Sequence, residues 1–154
     1  MELKLETLRE FQQNYPTSHV GGSIGLFLRD INLQRDLSFS DLDITVDEYK
    51  SNKEMELYDR SDANDFDYNV VKQHTPNRYT KIDIRVSPEP SFDVIEFEGE
   101  KYNVSKLRDI LFWKKKYADK GVKKHQDDLI TIKTGLRPLG YEEINFDEIG
   151  DLPF

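Results

Sequence analysis

The 154-residue chain predicts an α+β domain: a mixed or antiparallel sheet of about five strands, with helices packed on one face and further helices at the C-terminal end. Three observations carry this prediction. Apolar residues recur at helical spacing near both ends of the chain, Asp41–Val46 and Lys81–Val86 alternate strictly between polar and apolar, and two hairpin patterns lie between them. The composition, 36% hydrophobic and 12% aromatic against 34% charged, supplies one core. A single domain is expected over 1–140, followed by an acidic extension over 141–154.

Leu3, Leu5, Leu8, Phe11 and Tyr15 predict an amphipathic helix over 2–15, closed by Pro16. The short strand His19-Val20 runs into Gly21-Gly22-Ser23, after which Ile24, Leu26, Phe27, Ile31 and Leu33 suit a second helix. Asp41–Val46 has the two-residue period of a strand. Residues 47–64 are polar and read as a loop, with an irregular helix around 53–58. Tyr68–Gln73 and Arg78–Val86 predict a hairpin turning on His74-Thr75-Pro76-Asn77. Phe92–Phe97 and Lys101–Val104 predict a second, tight hairpin around Glu98-Gly99-Glu100. A helix capped by Ser105 or Asn103 carries Leu107, Ile110, Leu111 and Tyr117 to a stop at Gly121. A last helix over 123–134 presents Leu129, Ile130 and Ile132 and stops at Gly135.

The absence of Cys excludes disulfides, thiolate zinc sites and a cysteine nucleophile, leaving oxygen ligands or the three His for any metal. No apolar run approaches the ~20 residues needed to span a bilayer, and Met-Glu-Leu-Lys-Leu-Glu does not read as a secretion signal. A soluble, cytoplasmic protein without membrane contact is expected. The net charge of −8 is uneven: residues 47–67 hold eight acids against three bases, whereas 101–137 hold eleven bases against four acids. The second block could meet phosphates, or could simply be a solvated helix face.

Asp41 and Asp43 are two apart on a strand, so both carboxylates point to one face while Leu42 and Ile44 point to the other. Such a pair repels unless protonated or bridged by a cation, and oxygen-only ligands favour Mg²⁺ or Mn²⁺. The strand Lys81–Val86 alternates in the same way, and if it lies beside the first, Asp83 makes a third carboxylate on that face. Asp65 and Asp67 offer another alternating pair. Arg85 would then suit a phosphate, or an ion pair with Asp83. Gly21, Gly22 and Ser23 form a turn whose glycines permit close backbone approach and whose helix start offers N–H groups to an anion. Each feature alone is commonplace, and it is their order that carries information. Trp113 and Tyr117 read as core, and His19 and His74 suggest no chemistry.

Gly-Gly-Ser opening a helix, then Asp-x-Asp, then a single Asp on a later apolar strand, resembles the nucleotidyltransferase superfamily. That superfamily includes DNA polymerase beta, the aminoglycoside nucleotidyltransferases and the AbiEii-type toxins. Arg35-Asp36-Leu37-Ser38-Phe39-Ser40 before the acid pair looks like the toxin-like branch, and Lys114 followed by Lys124-His125-Gln126-Asp127-Asp128-Leu129 looks like the Lys helix and Lys-x-x-Asp-Leu segment of small members. The resemblance covers roughly 19–132 and implies a palm-like fold. It implies that Gly22 and Ser23 bind the triphosphate, that Asp41 and Asp43 hold metal, and that Asp83 activates the acceptor hydroxyl; Lys114 and Lys124 become candidate phosphate contacts. The 17 residues between Ser23 and Asp41 exceed the usual spacing, through either an extended helix or an inserted segment over 29–40.

What this implies is a Mg²⁺- or Mn²⁺-dependent nucleotidyltransferase moving a nucleoside monophosphate from ATP or another NTP to an acceptor hydroxyl, with release of pyrophosphate. The acceptor could be tRNA or other RNA, a protein or a small molecule, and a homodimer could complete the pocket. The alternative is a noncatalytic or antitoxin-like binding protein on the same fold, acting through a protein partner.

Overall fold

The computed structural model describes residues 1–50, 55–57 and 66–136. Four helices and seven strands follow one another as α1 (Glu2–Asn14), β1 (His19–Val20), α2 (Gly22–Leu28), β2 (Leu42–Val46), β3 (Met55–Leu57), β4 (Tyr68–Thr75), β5 (Arg78–Val86), β6 (Phe92–Phe97), β7 (Glu100–Ser105), α3 (Leu107–Asp119) and α4 (Lys123–Leu136). The strands form one mixed sheet in the order β3-β4-β5-β2-β1-β7-β6. Pairs β2–β5 and β1–β7 are parallel, and β1–β2, β3–β4, β4–β5 and β6–β7 are antiparallel.

Strand alternation sorts the sheet into an apolar and a polar face. Val70, Leu42, Ile44, Val46, Ile82 and Ile84 are buried on one side. Leu5, Leu8 and Phe11 of α1 join the same core cluster, and Glu10 reaches across to an ion pair with Lys72, which shares the face of Val70. The opposite face carries Asp43, Thr45, Asp83 and Arg85. There α3 approaches, with the Trp113 ring against the Arg85 guanidinium. The helices are therefore not confined to one face as predicted: the row of charges left by the alternation needs its own cover, and Trp113 supplies it.

The sheet also has more than the predicted five or so strands, because Met55–Leu57 pairs with β4 where an irregular helix was expected. A short edge strand of this kind is fixed by the partner it finds, which local pattern does not encode. The second helix is shorter than its apolar spacing predicts. It ends at Leu28, and Asp30 and Gln34 adopt left-handed backbone conformations (φ 62° and 58°), which Asp tolerates because its short side chain bonds locally. Ile31 and Leu33 are buried all the same. The long spacing between Ser23 and Asp41 is thus an irregular segment over 29–40 rather than an extended helix.

The hairpin turn Glu98-Gly99 is as tight as predicted, with positive φ at both residues (50° and 82°), the arrangement that suits a two-residue connection. Neither Ser105 nor Asn103 caps α3. Lys106 is the N-cap and no side chain bonds there; Ser105 ends β7, and Asn103 donates instead to the Pro16 and Ser18 carbonyls. Gly121, at φ 91°, ends the helix as predicted. Gly135 does not stop α4, which continues to Leu136, and Ile130 faces outward while Ile132 is buried. The extension over 141–154 lies outside the described residues. No helix among the described residues is long and apolar enough to cross a membrane.

Candidate active site

The polar sheet face, the start of α2 and one side of α3 and α4 enclose a cleft of about 880 Å³, lined among others by Gly21, Gly22, Ser23, Asp41, Asp43, Asp83, Arg85, Lys114 and Lys124. All nine residues singled out from the sequence therefore meet in one place. The volume falls within the usual range for small-molecule sites.

Parallel pairing of β2 and β5 sets Asp43 directly beside Asp83. Asp83 is buried (3% exposed), and Asp41 and Asp43 are half-buried. Burial raises the Asp43 carboxyl to a pKa of about 7; the neighbouring Asp83 and Asp41 charges add to the shift, and Lys114 and Arg85 oppose it. The other candidate third acid is elsewhere. Asp67 is exposed, accepts from the Val86 backbone N–H at 2.7 Å and is not part of the cleft wall; Asp65 lies outside the described residues.

Gly21 donates its backbone N–H to the Asp43 carbonyl (2.8 Å), which ties the turn to β2. Gly22 has φ 60°, and a Cβ there would stand 2.2 Å from Asp43 Oδ2. The position needs glycine twice over, for its backbone and for its lack of a side chain. Gly22→Ala is accordingly expected to lose at least about 1 kcal/mol through the left-handed backbone alone and to displace the Asp43 carboxylate. Chemical denaturation checks the stability, and titration of the variant's Mg²⁺ response checks the site.

Beside the turn lies a charged cluster that spans the whole chain. Arg35, from the 29–40 segment, donates twice to Asp128 (Nε to Oδ1 2.8 Å, Nη2 to Oδ2 2.9 Å) and once to Ser23 Oγ (2.7 Å). Lys114 Nζ donates to Asp128 Oδ2 (2.8 Å), approaches Ser23 Oγ at 3.4 Å and meets His125 Nδ1 at 3.2 Å. Both Lys114 and Asp128 are buried, each side chain only 2% exposed. Burial pulls the Lys114 ammonium below its ordinary pKa against the pull of Asp128. Burial also resists ionisation of Asp128, yet Arg35 and Lys114 hold its carboxyl below the usual value. Burial, followed by the Lys114 and Lys124 charges, lowers His125 to about 3. A neutral His125 then accepts from Lys114.

Lys114 is thus a buried partner of Asp128, while Lys124 is exposed on the cleft wall. In the sequence Arg35 and Asp128 stand out only as parts of local motifs, yet they organise this side of the site. A bidentate fork matched to a carboxylate is a specific geometry, but its partners stand 93 residues apart. Arg85 is clamped between rings, its guanidinium 3.6 Å from the Trp113 centroid and 4.6 Å from that of Phe66. Trp113 and Tyr117 line the cleft rather than the core. Half-buried at one edge of α3, Trp113 covers a charge, a role that its helical spacing does not disclose.

Among the described residues, no group of three or more His, Asp or Glu side chains is already drawn together as a metal cage. The acid pair of β2 and Asp83 instead stand as neighbours in a crowded, mutually repelling set. That is the donor chemistry a hard divalent cation fits: oxygen-only and adjacent, with Asp43 costly to ionise.

Compared with known proteins, the chain matches no family model, no curated protein and no solved structure. The likeness to nucleotidyltransferases therefore rests on the residues themselves and on where the fold puts them.

Proposed function

We propose that this protein is a metal-dependent nucleotidyltransferase that transfers a nucleoside monophosphate from an NTP to an acceptor hydroxyl. The observation that carries the reading is the registered Asp43–Asp83 pair with Asp41 nearby, facing a turn at whose Gly22 an added Cβ would meet the Asp43 carboxylate. Asp41, Asp43 and Asp83 would hold Mg²⁺ or Mn²⁺. When bound, such an ion supplies charge neutralisation at the triphosphate and a lowered pKa for the attacking hydroxyl.

This chain's own groups do the rest by position and charge. Asp83, shielded from water, accepts the proton of the acceptor hydroxyl. Arg85, locked between Phe66 and Trp113, presents a fixed positive charge to the same face. Ser23, with Lys114 close by and Arg35 holding its hydroxyl, receives the phosphates; Lys124 adds a solvated cation. In phosphoryl transfer such positioning and charge neutralisation account for most of the catalysis. The helix after the turn is only seven residues long, so side-chain cations contribute more here than its dipole.

The test is thermal stability with each NTP, with and without Mg²⁺. A rise in Tm that needs both, and that Asp41→Ala abolishes, is the expected result. No shift with any nucleotide would instead support a noncatalytic protein acting through a partner surface. Because protons compete for the same carboxylates, the Mg²⁺ effect should be small at pH 5 and larger at pH 8, above the Asp43 pKa of about 7.

A further inference from the structure

The irregular segment over 29–40 is firmly held at several points. Ile31 and Leu33 are buried, Arg29 bonds the Ser105 carbonyl and Asp93, Arg35 grips Asp128, and Asp36 accepts from both the backbone and the hydroxyl of Ser38. At the end of this anchored stretch, two residues before Asp41, Phe39 lines the cleft with 91% of its surface exposed. The other aromatic rings on the cleft wall are already covered. Arg85 lies over Phe66 and Trp113, Lys116 also lies over Trp113, and Tyr117 stacks on His125 and carries Lys120. Among the described residues Phe39 has no ring or cation contact of this kind.

A large apolar ring displayed at a cleft mouth by a braced segment gains nothing in folding, but both its faces are open to a flat ligand. Resting on the nucleotidyltransferase reading, we infer that Phe39 is a stacking platform for a nucleobase. The base belongs either to the donor NTP or to a nucleotide of an RNA acceptor, and the chemistry of recognition is the same. Every base offers a π-face, so the platform contributes affinity with little base preference. The phosphates are left to Ser23 and the cations.

Binding can be measured calorimetrically in the presence of Mg²⁺ for the four NTPs, for inorganic tripolyphosphate and for a mixed-sequence RNA 12-mer. The proteins compared are wild type, Phe39→Ala, Phe39→Trp and Asp43→Asn. Phe39 is exposed, so its variants should fold normally, which circular dichroism checks. The expected result is that Phe39→Ala weakens either the NTPs or the RNA by about tenfold or more; that Phe39→Trp restores the affinity; and that tripolyphosphate, which has no base, binds equally to all three. Weakened NTPs identify the donor base, and weakened RNA identifies an acceptor base. The inference is overturned if Phe39→Ala binds NTPs and RNA as wild type does, or if it loses tripolyphosphate as much as NTP. Failure of the parent reading looks different: Asp43→Asn would then bind Mg²⁺–NTP as tightly as wild type, whatever Phe39 does.

Discussion

Asp128→Ala is expected to cost about 3–5 kcal/mol of folding stability, because removal of one member of a buried ion pair strands its partner's charge. Here the stranded group is Lys114, whose side chain is 2% exposed, and the Arg35 guanidinium loses both of its carboxylate bonds. In a domain of this size the loss corresponds to a Tm lower by roughly 10 °C, readable by calorimetry. The control is the double variant Lys114→Met with Asp128→Leu. With both buried charges gone and Arg35 still reaching water, at 27% side-chain exposure, it should be more stable than the single variant. A double variant at least as unstable as Asp128→Ala would show that the cluster acts through shape rather than charge.

Asp43→Asn is expected to move stability and activity in opposite directions. A carboxyl whose folded pKa is raised to about 7 holds its proton more tightly when folded than when unfolded. Wild-type stability therefore falls as pH rises from the ordinary carboxylate range to about 7 and levels off above it. Asn cannot ionise, so its advantage over Asp should be near zero below about pH 4 and full by pH 8, where a gain of roughly 3–8 °C in Tm is in scale. Nucleotide transfer should fall by roughly 10³-fold, the size expected when several kcal/mol of transition-state charge stabilisation are lost. Stability-against-pH curves for the two proteins, run without metal, check the first half. Curves that stay parallel from pH 4 to pH 8 would contradict the raised Asp43 pKa.

The parts of this molecule that could be read from its sequence are those governed by short-range periodicity. Asp41–Val46 and Lys81–Val86 each alternate with period two, and that period forces Asp43 and Asp83 onto polar faces before anything is known of the fold. Their adjacency still required β2 and β5 to pair in parallel, which the sequence left as a condition. The turn at Gly22 was legible because glycine is informative where backbone and space are both restricted.

What could not be read depends on contacts made far along the chain. The Arg35 fork finds Asp128 only after six strands and one helix have intervened. Trp113 sits at a helical position that would suit a core residue, and only the sheet's charged face, brought up beneath α3, assigns it to Arg85. Met55–Leu57 becomes a strand because β4 offers an edge. Phe39 is unremarkable in sequence, and its meaning comes from the bracing of the segment behind it.

The proposal that the three carboxylates and the Gly-Gly-Ser turn form one phosphoryl-transfer site can be checked by incubating wild type and Asp43→Asn with α-labelled NTPs, Mg²⁺ and pools of RNA, protein and small molecules. Adducts and pyrophosphate are then followed by mass spectrometry. The wild type should form a nucleoside monophosphate adduct on one pool together with pyrophosphate, and Asp43→Asn should lose both. Adducts that persist at the wild-type rate in Asp43→Asn, or no adduct on any pool with the wild type, would contradict the proposal.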